Sequence, residues 1–156
     1  MKKPSLLIIC LTFLFACASN KSNVVSDSSE ERSLGDTRQI PVAYLNANTF
    51  LLTEMSDDKT YGYKESNPIN VGGVIENGAR NQQRFLNALL GPHGEEVGYY
   101  RLGSCCSFKT PNGLMGDSGL LDLYRVYWGT KDTVNLYLNL YDEGDLKIPV
   151  GFKSKK

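Results

Sequence analysis

The sequence predicts an α+β fold: one small domain in which an antiparallel β-sheet packs against one main α-helix. Three observations carry this. Residues 122–128 and 134–141 are two strand-like runs around Gly129-Thr130-Lys131-Asp132-Thr133, the pattern of a hairpin with one face on a core. Residues 79–90 hold one amphipathic stripe of helical period, closed by Gly91-Pro92. The chain has 156 residues, 41% of them hydrophobic, which permits one modest core.

The first 16 residues read as a lipoprotein signal peptide. Lys2 and Lys3 form a basic start, Leu6 to Phe15 is almost continuously apolar, and Leu14-Phe15-Ala16-Cys17 has the form of a bacterial lipobox. The run is too short to span a bilayer, which takes roughly 20 residues, and it suits a signal core of about 7–15 residues. Cys17 is then the lipidated first residue of the mature chain. Its partner is a membrane, reached through an N-terminal lipid anchor. The address is the cell envelope, and Ala18-Ser19-Asn20, free of acidic residues, favour the outer membrane facing the periplasm. Residues 17–40 read as this cysteine plus a flexible tether, too polar to offset its ordering entropy. Residues 41–156 read as the globular body.

Within the body, Phe50 and Leu52 alternate with Leu51 and Thr53 in a β-like stretch from Thr49 to Met55. A short strand is expected around Ile69-Asn70-Val71. The helix runs from Ala79 to Leu90 with Asn77 as N-cap. Gly91 is expected to supply a left-handed stop and Pro92 to prevent continuation. Phe85, Leu86, Leu89 and Leu90 form the apolar stripe; Gln82 shares its arc, so its amide is expected to be buried and hydrogen-bonded. Val97 to Leu102 is a strand leading into Cys105-Cys106.

In the hairpin, Val134, Leu136, Leu138 and Leu140 face the core. Turning Arg125 inward would desolvate a charge without a partner, so Tyr124, Val126 and Trp128 are expected inside. Asn135, Tyr137, Asn139 and Tyr141 then stand outward, with Leu123 and Tyr127 nearby. Such mixtures suit an envelope protein or a glycan, because rings pack on apolar edges while amides read hydroxyls; the other reading, which is preferred, is that loops of the same domain cover this face.

Removal of Lys2 and Lys3 leaves 15 basic against 17 acidic side chains. No basic patch is evident, which argues against nucleic acid. Cys10 leaves with the signal and Cys17 takes the lipid, so Cys105 and Cys106 remain. Adjacent Cα atoms lie about 3.8 Å apart, closer than an unstrained disulfide prefers. A vicinal disulfide between them, two reduced thiols and an intermolecular bridge all stay open. A disulfide here would serve as a redox or sensor element or as a rigid plate. His93, flanked by Glu95 and Glu96, reads as a loop residue. Neither the His93–Cys region nor Asp142-Glu143-Gly144-Asp145 has a metal-ligand spacing. No catalytic set, metal or cofactor is expected.

The stretches Tyr61-Gly62-Tyr63, Asn67-Pro68-Ile69-Asn70-Val71-Gly72, Arg84-Phe85-Leu86-Asn87-Ala88-Leu89, Gly103-Ser104-Cys105-Cys106-Ser107-Phe108, Gly119-Leu120-Leu121-Asp122 and Ile148-Pro149-Val150-Gly151-Phe152 resemble a family of small Gram-negative envelope lipoproteins. The resemblance implies a lipid-anchored protein without an established activity. Many members carry the label 2-dehydro-3-deoxyphosphooctonate aldolase, the enzyme that joins phosphoenolpyruvate to arabinose 5-phosphate. The residues argue against that label. Such an aldolase is a (β/α)₈ barrel of about 250 residues, its substrates are cytosolic, and no Lys/Arg cluster here suits two phosphorylated substrates. The sequence reading is therefore a non-enzymatic binding or assembly module, with a thiol redox protein as its rival.

Mass spectrometry of the native N-terminus tests the address. An acylated Cys17 is expected, and Cys17→Ser should move the protein from the membrane to the soluble fraction. An unprocessed Met1 terminus in the cytosol would refute the assignment.

Overall fold

Helix stripe and hairpin meet face to face in the computed structural model, which describes residues 35–73 and 77–156. Cys17, the signal segment and tether residues up to 34 lie outside the described residues. In chain order the elements are β1 (Ala43–Asn46), β2 (Thr49–Leu51), β3 (Ile69–Asn70), α1 (Gly78–Ala88), β4 (Leu89–Leu90), β5 (Gly98–Lys109), β6 (Ser118–Trp128), β7 (Asp132–Asn139) and β8 (Lys153–Ser154). β5, β6 and β7 form an antiparallel meander, and β3 joins β7 to give the order β3-β7-β6-β5. β1–β2 and β4–β8 are separate two-stranded ladders.

The sheet is mixed rather than wholly antiparallel, because β3 runs parallel to β7, Ile69 opposite Leu138 and Asn70 opposite Asn139. Parallel neighbours need a long connection, which α1 and the first two meander strands supply. The hairpin register follows the cost of burying Arg125. Tyr124 pairs with Leu136 and Val126 with Val134, and Tyr124, Val126, Leu136 and Leu138 are buried on the helix side. β1 carried no periodic signal, since all four of its residues are exposed.

The helix begins after Asn77, whose side chain makes no capping hydrogen bond, and it ends at Ala88, two residues before the expected Leu90. Leu89 is already extended (φ −79°, ψ 149°), and Leu89 and Leu90 pair with Ser154 and Lys153. Lys155 N–H donates to the Ala88 carbonyl at 2.9 Å, so the C-terminal strand satisfies a helix-end group that would otherwise be orphaned. Gly91 is absent from the left-handed glycines. What it provides is room: an added Cβ would lie 3.1 Å from Cγ of Trp128.

Phe85, Leu86 and Leu89 are fully buried in one cluster with Phe50, Ile69, Val126, Leu136, Leu138 and Phe152. Each such side chain contributes about 1.5–3 kcal/mol of transfer free energy. Trp128 closes one end edge-on against Phe152, ring centres 5.3 Å apart.

Residues 36–40, counted with the tether from sequence, form a strap bound to the 142–145 turn. Glu143 O accepts the N–H groups of Thr37 and Arg38 at 2.6 and 3.1 Å. Arg38 donates to Gly144 O at 3.0 Å and pairs with Glu143 at 3.2 Å. Asp145 Oδ1 accepts the N–H groups of Gln39 and Ile40, and these bonds hold its carboxyl below the usual range.

Beside the strap, the Tyr61 hydroxyl accepts the Lys147 N–H at 3.2 Å. Burial pushes its pKa up to about 12 from 10.0. The folded state thus holds this proton more tightly than the unfolded state. Its contribution to stability is complete below pH 10.0 and is lost as pH rises towards about 12. Urea melts at pH 9 and 11 should show Tyr61→Phe losing less stability over that interval than wild type.

Candidate functional site

The two faces of the sheet carry different chemistry. On the outer face, away from α1, Arg125 of β6 stands between Tyr100 of β5 and Asn135 of β7 in register. Its Nε donates to Asn135 Oδ1 at 2.6 Å. Two residues on, Tyr127 lies opposite Gly98, and a Cβ at Gly98 would fall within 2.6 Å of the Tyr127 ring atom Cε2. The missing side chain is what lets the ring lie down across β5. Tyr127 then meets Tyr100 with ring centres 6.2 Å apart, tilted by 49°. Both stay exposed, at 44% and 53%, while Tyr137 is half-buried.

Two shallow clefts adjoin here. One, of about 290 Å³, is lined by Tyr100, Arg125, Tyr127 and the 128–133 turn. The other, of about 490 Å³, is lined by Tyr63, Arg125, Thr133, Val134, Asn135 and Tyr137. Arg125 and Thr133 belong to both. Tyr63 donates its hydroxyl to Val150 O at 2.6 Å, which fixes its ring at the border of the second cleft.

Of the five residues expected on this surface, the structure brings together Tyr127, Asn135 and Tyr137. Asn139 is fully buried. Its amide donates to Asn70 Oδ1 at 3.1 Å and to Asp142 Oδ2 at 2.9 Å, and its Oδ1 accepts the Tyr141 N–H. Asp142, also fully buried, accepts from Thr110 and Asn112 as well. The alternation of β7 does point Asn139 away from α1, but the 110–112 and 141–143 segments fold over that end. Tyr141 lies past the end of β7, so strand alternation no longer governs it. Its ring packs edge-on against Phe108, centres 5.9 Å apart, and it lines a separate cleft of about 540 Å³ with Arg38, Tyr44, Asn81 and Glu143 among others.

Cys105 and Cys106 lie inside β5, which runs beyond the expected Leu102. The pairing of β5 with β6 shifts twice, between Arg101 and Gly103 and between Cys105 and Ser107. Cys106 is the extra residue of the second bulge and, at φ +54°, the only non-glycine in the left-handed region among the described residues. The two sulfurs are joined as a vicinal disulfide, Cα atoms 3.8 Å apart.

Next to the disulfide is a cluster the sequence reading missed. Asp122, 4% exposed, accepts from Arg101 at 2.6 Å and Ser104 at 2.9 Å on one oxygen, and from Gln82 at 2.9 Å on the other. Tyr124 donates to Gln82 Oε1 at 3.0 Å, so the buried amide is satisfied at both ends. The Asp122 carboxylate holds the Arg101 guanidinium above its ordinary pKa. Asp122 stands at an inward position of the hairpin and Gln82 on the apolar arc of the helix. Those two polar intrusions were the available signal.

His93 is exposed, its N–H donating to Glu95 Oε2 at 2.9 Å. Among the described residues no group of three or more His, Cys, Asp or Glu side chains converges to hold a metal ion. No family model, curated protein or solved structure matches the chain.

Removing the Asp122 carboxylate leaves Gln82 and Ser104 without their acceptor. Asp122→Ala is expected to lower stability by about 1–3 kcal/mol in urea unfolding, beyond the effect of Asp122→Asn. Equal stability of both variants with wild type would show the cluster to be inert.

Proposed function

We propose that this chain is the body of a lipid-anchored envelope lipoprotein that acts as a non-enzymatic binding or assembly module. Its anchor is Cys17, its place the periplasmic side of the outer membrane, and its contact surface the outer face around Tyr127, Asn135 and Tyr137. The observation that carries the reading is a set of half-exposed rings held in place on a sheet, with Tyr127 laid across Gly98. Side chains already held in position lose little freedom when a ligand arrives. Aromatic faces beside a side-chain amide and a guanidinium suit sugar rings or a partner's polar backbone.

A thiol-based reading has one observation in its favour: a vicinal disulfide centred on a left-handed cysteine, one residue from the Ser104–Asp122 contact. The aldolase label gains no such support. A (β/α)₈ barrel requires eight strand–helix units, and the described residues contain one helix.

Binding of the mature domain to isolated cell-wall glycan separates the two. Wild type, Tyr127→Ala and a Cys105→Ser/Cys106→Ser double variant are compared by co-sedimentation. Loss with Tyr127→Ala and retention in the double variant is the expected pattern. Retention in Tyr127→Ala with loss in the double variant would move the function to the cysteines.

A further inference from the structure

From the geometry around Arg125 we infer that the outer face takes an oxyanion-bearing saccharide, its carboxylate or phosphate group seated on that guanidinium and a sugar ring against Tyr127. The inference rests on the reading of this face as a glycan-binding surface and names the chemistry of what binds.

Arg125 is only half-exposed, and a cation there normally has an acidic partner. Arg101 has Asp122 and Arg38 has Glu143, while Arg84, without an acid, donates from Nε and Nη1 to Ala47 O and Asn81 Oδ1 and lies over the Tyr44 ring. Arg125 has none: among the described residues its side-chain contact is the neutral Asn135 Oδ1, made by Nε. That bond orients the plane of the guanidinium and leaves the Nη1–Nη2 edge without a protein acceptor. Two parallel N–H groups at a guanidinium edge match the two oxygens of a carboxylate or phosphate, which is why arginine is favoured where such groups are read bidentately.

The surroundings add apolar faces and almost no competing charge. Tyr100 stands opposite Arg125 on one side and Asn135 on the other. At the hairpin tip, Lys131 and Asp132 both border the first cleft with opposite signs, so the net positive character of the face comes from Arg125. Tyr127 lies two residues along the same strand, on the same side of the sheet. An acidic group on the guanidinium would therefore leave its own ring next to the exposed Tyr127 face. A neutral saccharide could use the rings alone, but it would leave the Nη1–Nη2 edge unused.

Isothermal titration with three oligosaccharides of equal length tests this: one neutral, one of hexuronate units, one carrying phosphate. At least one anionic chain is expected to bind roughly tenfold or more tighter than the neutral chain, since a charge-assisted bidentate contact is stronger than a neutral one. Which anionic chain wins identifies the group. Arg125→Gln should erase that difference, bringing the anionic chains down to the affinity of the neutral one. Arg125→Lys should recover part of it, because the charge stays and the fork is lost. Gly98→Ala should weaken all three chains by lifting the Tyr127 ring, and circular dichroism of each variant checks that the sheet remains. Equal affinity for neutral and anionic chains, or a preference that survives in Arg125→Gln, overturns the inference and leaves the glycan reading standing. Absence of binding to all three overturns both.

Discussion

The carboxylate of Asp122 sits on the helix side of the sheet, almost wholly out of water, and side chains from two other elements close over it. A buried carboxylate is tolerated only when its oxygens are filled. One donor comes from α1 through Gln82, and two come from β5 through Arg101 and Ser104. Apolar contact between α1 and the sheet is non-directional and would tolerate sliding or rotation of the helix. The Gln82–Asp122 and Gln82–Tyr124 bonds would not, because each shift orphans a buried polar atom. The first bulge in β5 is what brings both of those β5 donors to this carboxylate. Residues three apart on a regular strand point to opposite faces. Arg101 and Ser104 reach the same Asp122 oxygen only because one extra residue separates them.

With Asp122, Tyr124 and Val126 committed to the helix side, period-two alternation sends Arg125 and Tyr127 to the other. The outer face is thus a consequence of the inner one. Its details come from neighbouring strands: Gly98 makes room for the Tyr127 ring, and Asn135 sets the plane of Arg125. The second bulge repeats the logic further along β5. Cys106 takes up the extra residue, so Phe108 arrives on the outer side opposite Gly119, where its ring meets Tyr141. The disulfide therefore occupies a place where the strand already departs from regular pairing.

The end of β7 is organised around a second buried carboxylate, Asp142, which gathers Asn139, Thr110 and Asn112. Next to it, Glu143, Gly144 and Asp145 receive the strap through residues 37–40. The short acidic stretch 142–145, which reads in sequence as an ordinary polar turn, is the joint between the body and the segment that leads towards residue 17.

Local pattern alone determined the elements whose burial is one-sided and periodic: the helix stripe at Phe85 and Leu86, the hairpin with Leu136 and Leu138 inward, and the outward placement of Tyr127, Asn135 and Tyr137. These follow from period and from the cost of burying Arg125, both of which are properties of neighbouring residues. Tertiary structure decided what depends on residues distant in the chain. Leu89 and Leu90 left the helix because residues 153–155 pair with them. Asn139 went under cover because the segments at 110–112 and 141–143 meet above it. β3 joined the sheet in parallel, and the strap reached 143–145 across more than a hundred residues. Asp122 became a hub because a bulge, itself invisible to alternation, turned Arg101 and Ser104 the same way. A polar side chain does not announce its partner in sequence, since hydrogen bonds are satisfied by geometry and geometry is set only when the chain has closed on itself.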